Sequence, residues 1–397
     1  MTKRDYLKPW FLLILVYVFF NFAYTAFFPF EVMYLTHLGY RSSDVAILSM
    51  ATAIGNFFFQ FVVSFLLKKQ KHLGDCFLYF VGLSIPLAFL LLFFHQSLLC
   101  VILFIFPVTL FDFSCIGQLD GLTVAIRNKY PQIEYSRTRL FGSLSGVFAS
   151  FLLGHLYASI GIDRMFIVHS GVQLLTLITL LILKERFANE ITVMRPTDKH
   201  QSLSEKLVVL ERYLMIILGG TMVFLGWRAI FVYLPIIIED LGGTSADFGN
   251  AMAIINASSI IGMLTYPFFR KKLGLRAVLM LGCFAMALRW ALTAIAPTLV
   301  IIIIIQALES FGFGFAQPAM IESISNMARE NDRSSLITIW TGTMMALGTV
   351  LANIVVQVVS AKTGLQSSFM AFTVLAIVGT GIVLSGYKEL QTENESR

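Results

Sequence analysis

The chain has 397 residues, of which 57% are hydrophobic and 13% are charged, and its formal net charge at pH 7 is +6. This composition lies far outside that of soluble domains, so the chain as a whole is not expected to be a water-soluble enzyme. We therefore expect an integral membrane protein.

Apolar segments recur along the whole chain, and a helix needs ~20 such residues to cross a bilayer. In chain order they predict twelve transmembrane helices, here called spans 1 to 12. They lie near residues 9–37, 43–67, 76–95, 98–126, 138–160, 164–183, 212–238, 246–269, 277–296, 298–327, 334–361 and 366–387. Residues 1–8 are basic and lead directly into span 1, which we read as a retained helix and not a signal peptide. The predicted fold class is an all-α membrane protein.

The distribution of lysine and arginine predicts the orientation, because positively charged loops stay on the cytoplasmic side of a membrane. With the N-terminus inside, all but five of the 29 basic residues lie on or near that side. The exceptions are Arg41, Arg164 and Lys362 in outer loops and Arg228 and Arg289 within spans. We therefore expect a multi-pass protein of the cell membrane with both termini in the cytoplasm. The net charge reflects this loop bias and indicates no nucleic-acid partner.

An internal duplication divides the chain into halves. The segments 38–44 (LGYRSSD) and 241–247 (LGGTSAD) share the pattern LGxxS[SA]D, and each precedes the second span of a half. The serine is expected to cap the following helix, with the aspartate in its first turn. A second repeated pair is Leu73-Gly74 and Leu273-Gly274. The predicted domains are a six-helix bundle at 1–184, a cytoplasmic linker at 185–211, and a second bundle with a short tail at 212–397.

Motifs for catalysis or metal binding are missing from the sequence. The four cysteines lie on separate apolar segments, and the six histidines form no HxxxH or Cys/His cluster. There is no P-loop, glycine-rich nucleotide fingerprint or nucleophile elbow. We therefore expect no enzyme activity, no cofactor and no metal.

Two loops resemble the signature of the major facilitator superfamily. Residues 269–276 (FRKKLGLR), between spans 8 and 9, look like a degraded copy of it, and residues 67–75 (LKKQKHLGD) look like a weaker one. Both lack the aspartate that usually precedes the basic residues. The resemblance implies two six-helix bundles around a central solute path.

A narrower resemblance covers most of the chain. Residues 135–142 (YSRTRLFG) are similar to a stretch of the lactose permease, phenylpropionate permease and nucleoside permease-like proteins, a proton-coupled branch. Residues 27–30 (FFPF), 288–290 (LRW) and 306–309 (QALE) agree with it. The resemblance places Arg139 at a sugar-binding arginine and makes Asp120 its partner. Gly146 stands where the lactose permease has a tryptophan, and Gln306, Glu309 and Gly312 replace a lysine, histidine and glutamate trio.

Charged residues inside apolar spans are costly and usually functional. Glu309 and Arg289 lie at similar depth on consecutive spans, so we expect them to meet near mid-membrane. The positive charge favours the ionised acid, whereas apolar surroundings favour the neutral acid, and this competition suits proton coupling. The alternative is a static ion pair that fixes helix packing. Gly312, Gly314 and Pro318 are expected to let span 10 bend beside Glu309.

The other candidate residues each have a functional and a structural reading. Asp112 is a third proton-coupling candidate, or it bonds a neighbouring helix. Arg139 and Asp120 bind solute, or they pin two helix ends. Trp290, Tyr24 and Trp227 line a solute pocket, or they fill the membrane interior. Glu31 and Arg228 are gating candidates that interact across the cavity. Glu322 is expected to form a surface pair with Arg329.

These readings predict a monomeric, proton-coupled importer of a small organic solute such as a sugar, a nucleoside or an aromatic acid. Its partners would be the solute, protons and the lipid bilayer. A proton-antiport exporter remains an alternative, although residues 141–154 show no clear glycine- and proline-rich exporter motif. A non-transporting membrane sensor is a second alternative, and it would show no solute flux.

Overall fold

The computed structural model describes residues 3–69, 74–94, 98–187, 206–327 and 333–394. Helices and short 3-10 segments make up their regular structure, and no β-strand occurs within these ranges. The helices are α1 (Lys3–Phe27), α2 (Glu31–His37), α3 (Ser42–Lys69), α4 (Asp75–Leu90), α5 (Leu98–Lys129), α6 (Tyr135–Ile160), α7 (Met165–Phe187), α8 (Lys206–Asp240), α9 (Ser245–Leu273), α10 (Leu275–Ile295), α11 (Leu299–Ile305), α12 (Gly312–Met327), α13 (Arg333–Thr363) and α14 (Phe369–Asn394). The predicted all-α class is confirmed.

The helices follow the predicted spans in number and order. Within the described ranges, eleven segments are long and apolar enough to cross a membrane, and α4 is a shorter apolar helix at the place of span 3. Span 3 ends earlier than the predicted residue 95, because hydrogen-bonded turns follow Leu90. Most of the predicted linker, residues 188–205, lies outside the described residues.

The chain packs into two compact units. Unit 1 comprises Met1–Tyr40, Ile54–Thr197 and Thr244–Asn256, and unit 2 comprises Arg41–Ala53, Asp198–Gly243 and Ala257–Arg397. The first turns of α3 therefore group with unit 2, and those of α9 group with unit 1. The simpler division at 1–184 and 212–397 stays a prediction.

The same helix pairs pack together in both units. In unit 1, α1 packs on α6 and α7, while α4 packs on α5 and α7. In unit 2, α8 packs on α13 and α14, while α10 packs on α12 and α14. Each unit thus joins its first span to its fifth and sixth, and its third to its fourth and sixth. This common scheme is what a duplicated six-helix unit produces.

The repeated heptad forms the same turn twice. Gly39 and Gly242 both have a left-handed backbone, with φ of 84° and 77°, at the end of the preceding helix. The next residue closes the turn in each case, with Tyr40 N donating to Leu35 O at 3.1 Å and Gly243 N donating to Ile238 O at 2.8 Å. This is the usual glycine ending of a helix. The duplication therefore extends to individual backbone hydrogen bonds.

The predicted serine cap is wrong in both copies. Ser42 and Ser245 are the first residues of α3 and α9, so they lie inside the helices. The aspartate two residues later caps the helix instead. The Asp44 carboxylate accepts from Arg41 N at 3.1 Å, and the Asp247 carboxylate accepts from Thr244 N at 2.8 Å. An ionised carboxylate accepts a stronger hydrogen bond than a hydroxyl, and it also suits the positive helix end.

Two spans are interrupted by 3-10 segments. Phe28–Phe30 separates α1 from α2, and Pro29 within it removes a backbone donor. Gln306–Ser310 separates α11 from α12, which begins at Gly312. A β-carbon at Gly262 of α9 would overlap the backbone of Ser310 and Gly314. Close backbone packing against α9 therefore positions the 3-10 segment that carries Glu309.

Candidate solute and proton site

Arg289, Gln306 and Glu309 form a buried polar network in unit 2. As whole residues they are 0%, 0% and 1% exposed. Arg289 Nη1 donates to Glu309 Oε2, while Arg289 Nε and Nη2 donate to Gln306 Oε1 at 3.1 and 2.6 Å. The structure thus brings together the pair on spans 9 and 10 and adds Gln306 as a second acceptor for the guanidinium.

Aromatic rings enclose this network. Trp227 Nε1 donates to the second carboxylate oxygen, Glu309 Oε1, at 2.8 Å. The indole of Trp227 stacks on Phe313, with ring centroids 4.6 Å apart. On the other side, the Arg289 guanidinium lies 4.8 Å from the ring centroid of Trp290. Trp290 is fully buried, and a β-carbon at Gly226 would overlap its indole. Its proposed contact with solute stays a prediction.

The chemistry of the network follows from its donors. Each oxygen of the Glu309 carboxylate has one donor, and one of these donors carries a full positive charge. In apolar surroundings this pairing favours the ionised acid, while desolvation favours the neutral acid. If a solute group or a helix movement draws Arg289 away, Glu309 can take a proton in its place. Gln306 and Glu309 lie on a 3-10 turn, and a 3-10 turn within a helix often marks a hinge that allows such a movement.

Trp227→Phe tests the donor from α8. Trp340 is the matched control, because it is likewise buried beside Phe224, yet its Nε1 has no partner among the described residues. Both substitutions remove the same indole edge, but only Trp227→Phe removes a hydrogen bond to a carboxylate. We expect it to lower thermal stability more than Trp340→Phe, by about 1.5–3 kcal/mol. Equal losses in detergent unfolding would contradict this role for Trp227.

A second buried carboxylate lies in unit 1. Asp112 of α5 is 2% exposed, and its Oδ1 accepts from Gln173 Nε2 at 3.0 Å. Its Oδ2 lies 3.5 Å from Nε2 of His169, which is fully buried on α7. Asp112 does bond a neighbouring helix, as one reading predicted, but it also faces a histidine.

The predicted Arg139 and Asp120 contact is present at one end of unit 1. Arg139 Nη1 lies 3.7 Å from Asp120 Oδ2, and the two side chains are 54% and 26% exposed. Tyr17 donates its hydroxyl to Asp120 Oδ1 at 2.8 Å, and Arg139 Nη1 donates to Tyr135 Oη at 3.0 Å. The accessible guanidinium suits contact with a solute, and that role stays a prediction.

The gating candidates lie in different units. Glu31 is buried in the first turn of α2, directly after the 3-10 break of span 1. Arg228 donates from Nε to Thr349 Oγ1 at 2.7 Å and lies 5.5 Å from the ring centroid of Trp227. Tyr24 is half-buried and stacks on Phe28 at 5.1 Å. The interaction of Glu31 with Arg228 stays a prediction, as does the solute contact of Tyr24.

Glu322 has an arginine partner on α9, and its expected pair with Arg329 stays a prediction. Arg270 of α9 donates to its Oε1 from Nε at 2.9 Å and from Nη2 at 2.7 Å. Tyr266 donates to its Oε2 at 2.6 Å. Arg329 lies outside the described residues. The pair is partly exposed, at 34% for Arg270 and 32% for Glu322. It therefore combines a glutamate, an arginine and an aromatic donor as the Glu309 site does, but with more access to water.

Three polar contacts were missed from the sequence. His169, Tyr17 and the Trp227 N–H each contact an acidic side chain at least 57 positions away. The only signal for His169 was a histidine near the start of a predicted span. The direction in which a side chain points around an apolar helix is not visible in such a sequence.

Comparison with known families identifies the type of protein. The family model described as "MFS_1 like family" matches residues 10–371. Among curated proteins, maltose permease of Geobacillus stearothermophilus is 22% identical over 280 residues, covering 69% of each chain. The resemblance to the major facilitator superfamily is thereby confirmed.

Solved transporter structures share the fold. A mutant of the nucleoside transporter NupG superposes with a TM-score of 0.80 at 12% identity, covering 96% of this chain and all of that one. A bacterial homologue of the iron transporter ferroportin, in its inward-facing state, superposes with a TM-score of 0.73 at 14% identity. The coverage there is 97% of this chain and 99% of the other.

Proposed function

The chain belongs to the MFS_1 like family of transporters, and from this premise we propose proton-coupled uptake of a small organic solute by alternating access. The observation that carries the proposal is the Arg289–Gln306–Glu309 network. A charged pair that is almost completely buried within apolar spans, with its acid on an interrupted helix, is expensive for packing alone. It becomes useful where one partner exchanges its contact for a proton.

The substrate class that we propose rests on polar groups of unit 1. Gly146 stands where the lactose permease has a tryptophan, and a β-carbon there would be in ordinary contact with Thr25 Oγ1 at 3.7 Å and Asn256 Nδ2 at 4.0 Å. Asn256 Nδ2 also donates to Ser150 Oγ at 3.2 Å. Hydroxyl and amide groups beside a small residue suit a solute rich in hydroxyl groups. A nucleoside or a sugar other than a galactoside therefore fits better than an aromatic acid.

The remaining features of the proposal concern topology, gating and contact with the solute. The basic loops support cytoplasmic termini in a cell membrane, and a monomer is sufficient because both units belong to one chain. Glu31 and Arg228 are proposed to close the outer side. Arg139, with Asp120, is proposed to contact the solute, while Trp227, Trp290 and Tyr24 provide aromatic surface near it.

Vesicles containing the purified protein test the proposal. A panel of radiolabelled nucleosides, sugars and aromatic acids is offered with an inward pH gradient, and the same panel is offered with a protonophore present. We expect at least one solute to accumulate with the gradient and only to equilibrate without it. Solute that leaves the vesicles as protons enter would identify an exporter. No flux of any solute in either direction would favour the sensor alternative.

A further inference from the structure

The Asp112 and His169 contact carries an inference beyond solute uptake. The two residues come from different helices, and neither has an exposed side chain. No described residue donates to Asp112 Oδ2 or forms a hydrogen bond with His169 Nε2, although these atoms are 3.5 Å apart. Two buried polar atoms that face each other without a hydrogen bond need an explanation.

The other ring nitrogen of His169 determines where its proton lies. His169 Nδ1 is 3.0 Å from the carbonyl oxygen of Ala23 on α1. A carbonyl oxygen only accepts hydrogen bonds, so Nδ1 must carry hydrogen for this contact to be favourable. A neutral imidazole has only one N–H group. In neutral His169, Nε2 is then a bare acceptor directed at a carboxylate oxygen.

One additional proton resolves this conflict. Placed on Nε2, it gives an imidazolium that donates to both Ala23 O and Asp112 Oδ2. Placed on Asp112, it gives a carboxylic acid that donates to Nε2. Either way, the pair becomes neutral overall, whereas without the proton a single negative charge stays buried among apolar helices, which costs several kcal/mol.

The other neighbours do not compensate this charge. Gln173 donates an uncharged amide N–H to Oδ1. The Ser84 hydroxyl of α4 also lies within reach of the Asp112 carboxylate, but its single hydrogen is donated to Val81 O at 3.1 Å. The titratable neighbour is the Cys115 thiol on the same helix, which itself interacts with Cys76 of α4. From α1, the ring of Phe27 lies 5.3 Å from that of His169. These described neighbours supply no positive charge.

We propose that Asp112 and His169 together bind one proton, forming a protonation site in unit 1 that is separate from Glu309. Glu309 is held by an arginine, which keeps its charge, so its site stays neutral without an added proton. The Asp112 and His169 pair is neutral only with its proton bound. The bound proton also joins α5 to α7. The same imidazole contacts α1 through its Nδ1 atom.

Protein with ¹⁵N-labelled histidine, reconstituted in nanodiscs without solute, tests the proposal by nitrogen NMR and infrared spectroscopy. At neutral pH we expect either a doubly protonated His169 ring with ionised Asp112, or a ring protonated on Nδ1 with a carboxylic acid band from Asp112. A neutral His169 beside an ionised Asp112 would overturn the proposal. Because no solute is present, this result is independent of any failure to observe transport.

Asp112→Asn gives the matched variant. An asparagine side chain keeps the shape and can donate its own N–H to Nε2, so the proton is no longer needed. We expect a neutral His169 ring protonated on Nδ1 and no carboxylic acid band from position 112. A doubly protonated ring in this variant would also overturn the proposal. His155 serves as internal reference, because its Nδ1 makes the same contact to a carbonyl, Phe151 O at 2.9 Å, on the exposed face of α6.

Discussion

Arg289→Met is expected to destabilise the protein by about 3–5 kcal/mol, since it leaves the Glu309 carboxylate buried without its positive partner. The size of the effect follows from burial: the side chains of Arg289 and Glu309 are 0% and 2% exposed, so water cannot replace the lost guanidinium. Gln306 Oε1 also loses both of its donors. Thermal unfolding in detergent measures the loss.

Two further variants separate the charge effect from simple loss of packing. Adding Glu309→Gln to Arg289→Met removes the uncompensated charge and keeps an oxygen for the Trp227 N–H, so most of the stability should return. Arg270→Met is the matched control, because Arg270 pairs with Glu322 in a partly exposed setting. Its expected cost is about 1 kcal/mol or less. If the double variant is as unstable as Arg289→Met, the ion-pair interpretation is wrong.

Glu309→Gln is expected to separate solute movement from proton movement. The glutamine keeps the shape of the side chain and an acceptor for Trp227 Nε1, but it has no proton to exchange. With one proton per solute, each pH unit across the membrane is worth ~1.4 kcal/mol, which corresponds to roughly tenfold accumulation. We expect the wild type to approach this ratio and Glu309→Gln to reach only equilibrium. Solute exchange between equal concentrations should continue in the variant.

Glu322→Gln provides the control for this prediction. Glu322 also accepts from one arginine and one aromatic side chain, but it is partly exposed near one end of α12. We expect its accumulation ratio to equal that of the wild type. Loss of accumulation in both variants would indicate that carboxylate pairs stabilise the helices in general, and that Glu309 has no special part in coupling.

The sequence predicted the features that depend on composition and on position along the chain. Bilayer thickness sets the length of each apolar segment, so the spans could be read directly. Arg289 and Glu309 could be paired because consecutive antiparallel spans place them at similar depth. The duplicated heptad was visible in the sequence, and the two turns centred on Gly39 and Gly242 have the same backbone hydrogen bonds.

The remaining contacts depend on how each helix is rotated. A span that is apolar on all sides has no polar face to show which residues point inward. For that reason, the contact between His169 and Asp112 could not be predicted, nor could that between Trp227 and Glu309. The error at Ser42 and Ser245 is different, because each helix begins at its serine, which leaves Arg41 and Thr244 at the N-cap position. The aspartate three residues after that position then accepts from its backbone N–H, as in a capping box.

The central claim is that a proton and a solute move together through Glu309. Its most direct test is proton movement driven by solute alone, in vesicles with no initial pH gradient and a pH-sensitive dye outside. Adding an accepted solute should make the outside solution more alkaline with the wild type and with Glu322→Gln. With Glu309→Gln the outside pH should stay unchanged, although that variant still exchanges solute. Equal alkalinisation by Glu309→Gln and wild type would contradict the claim.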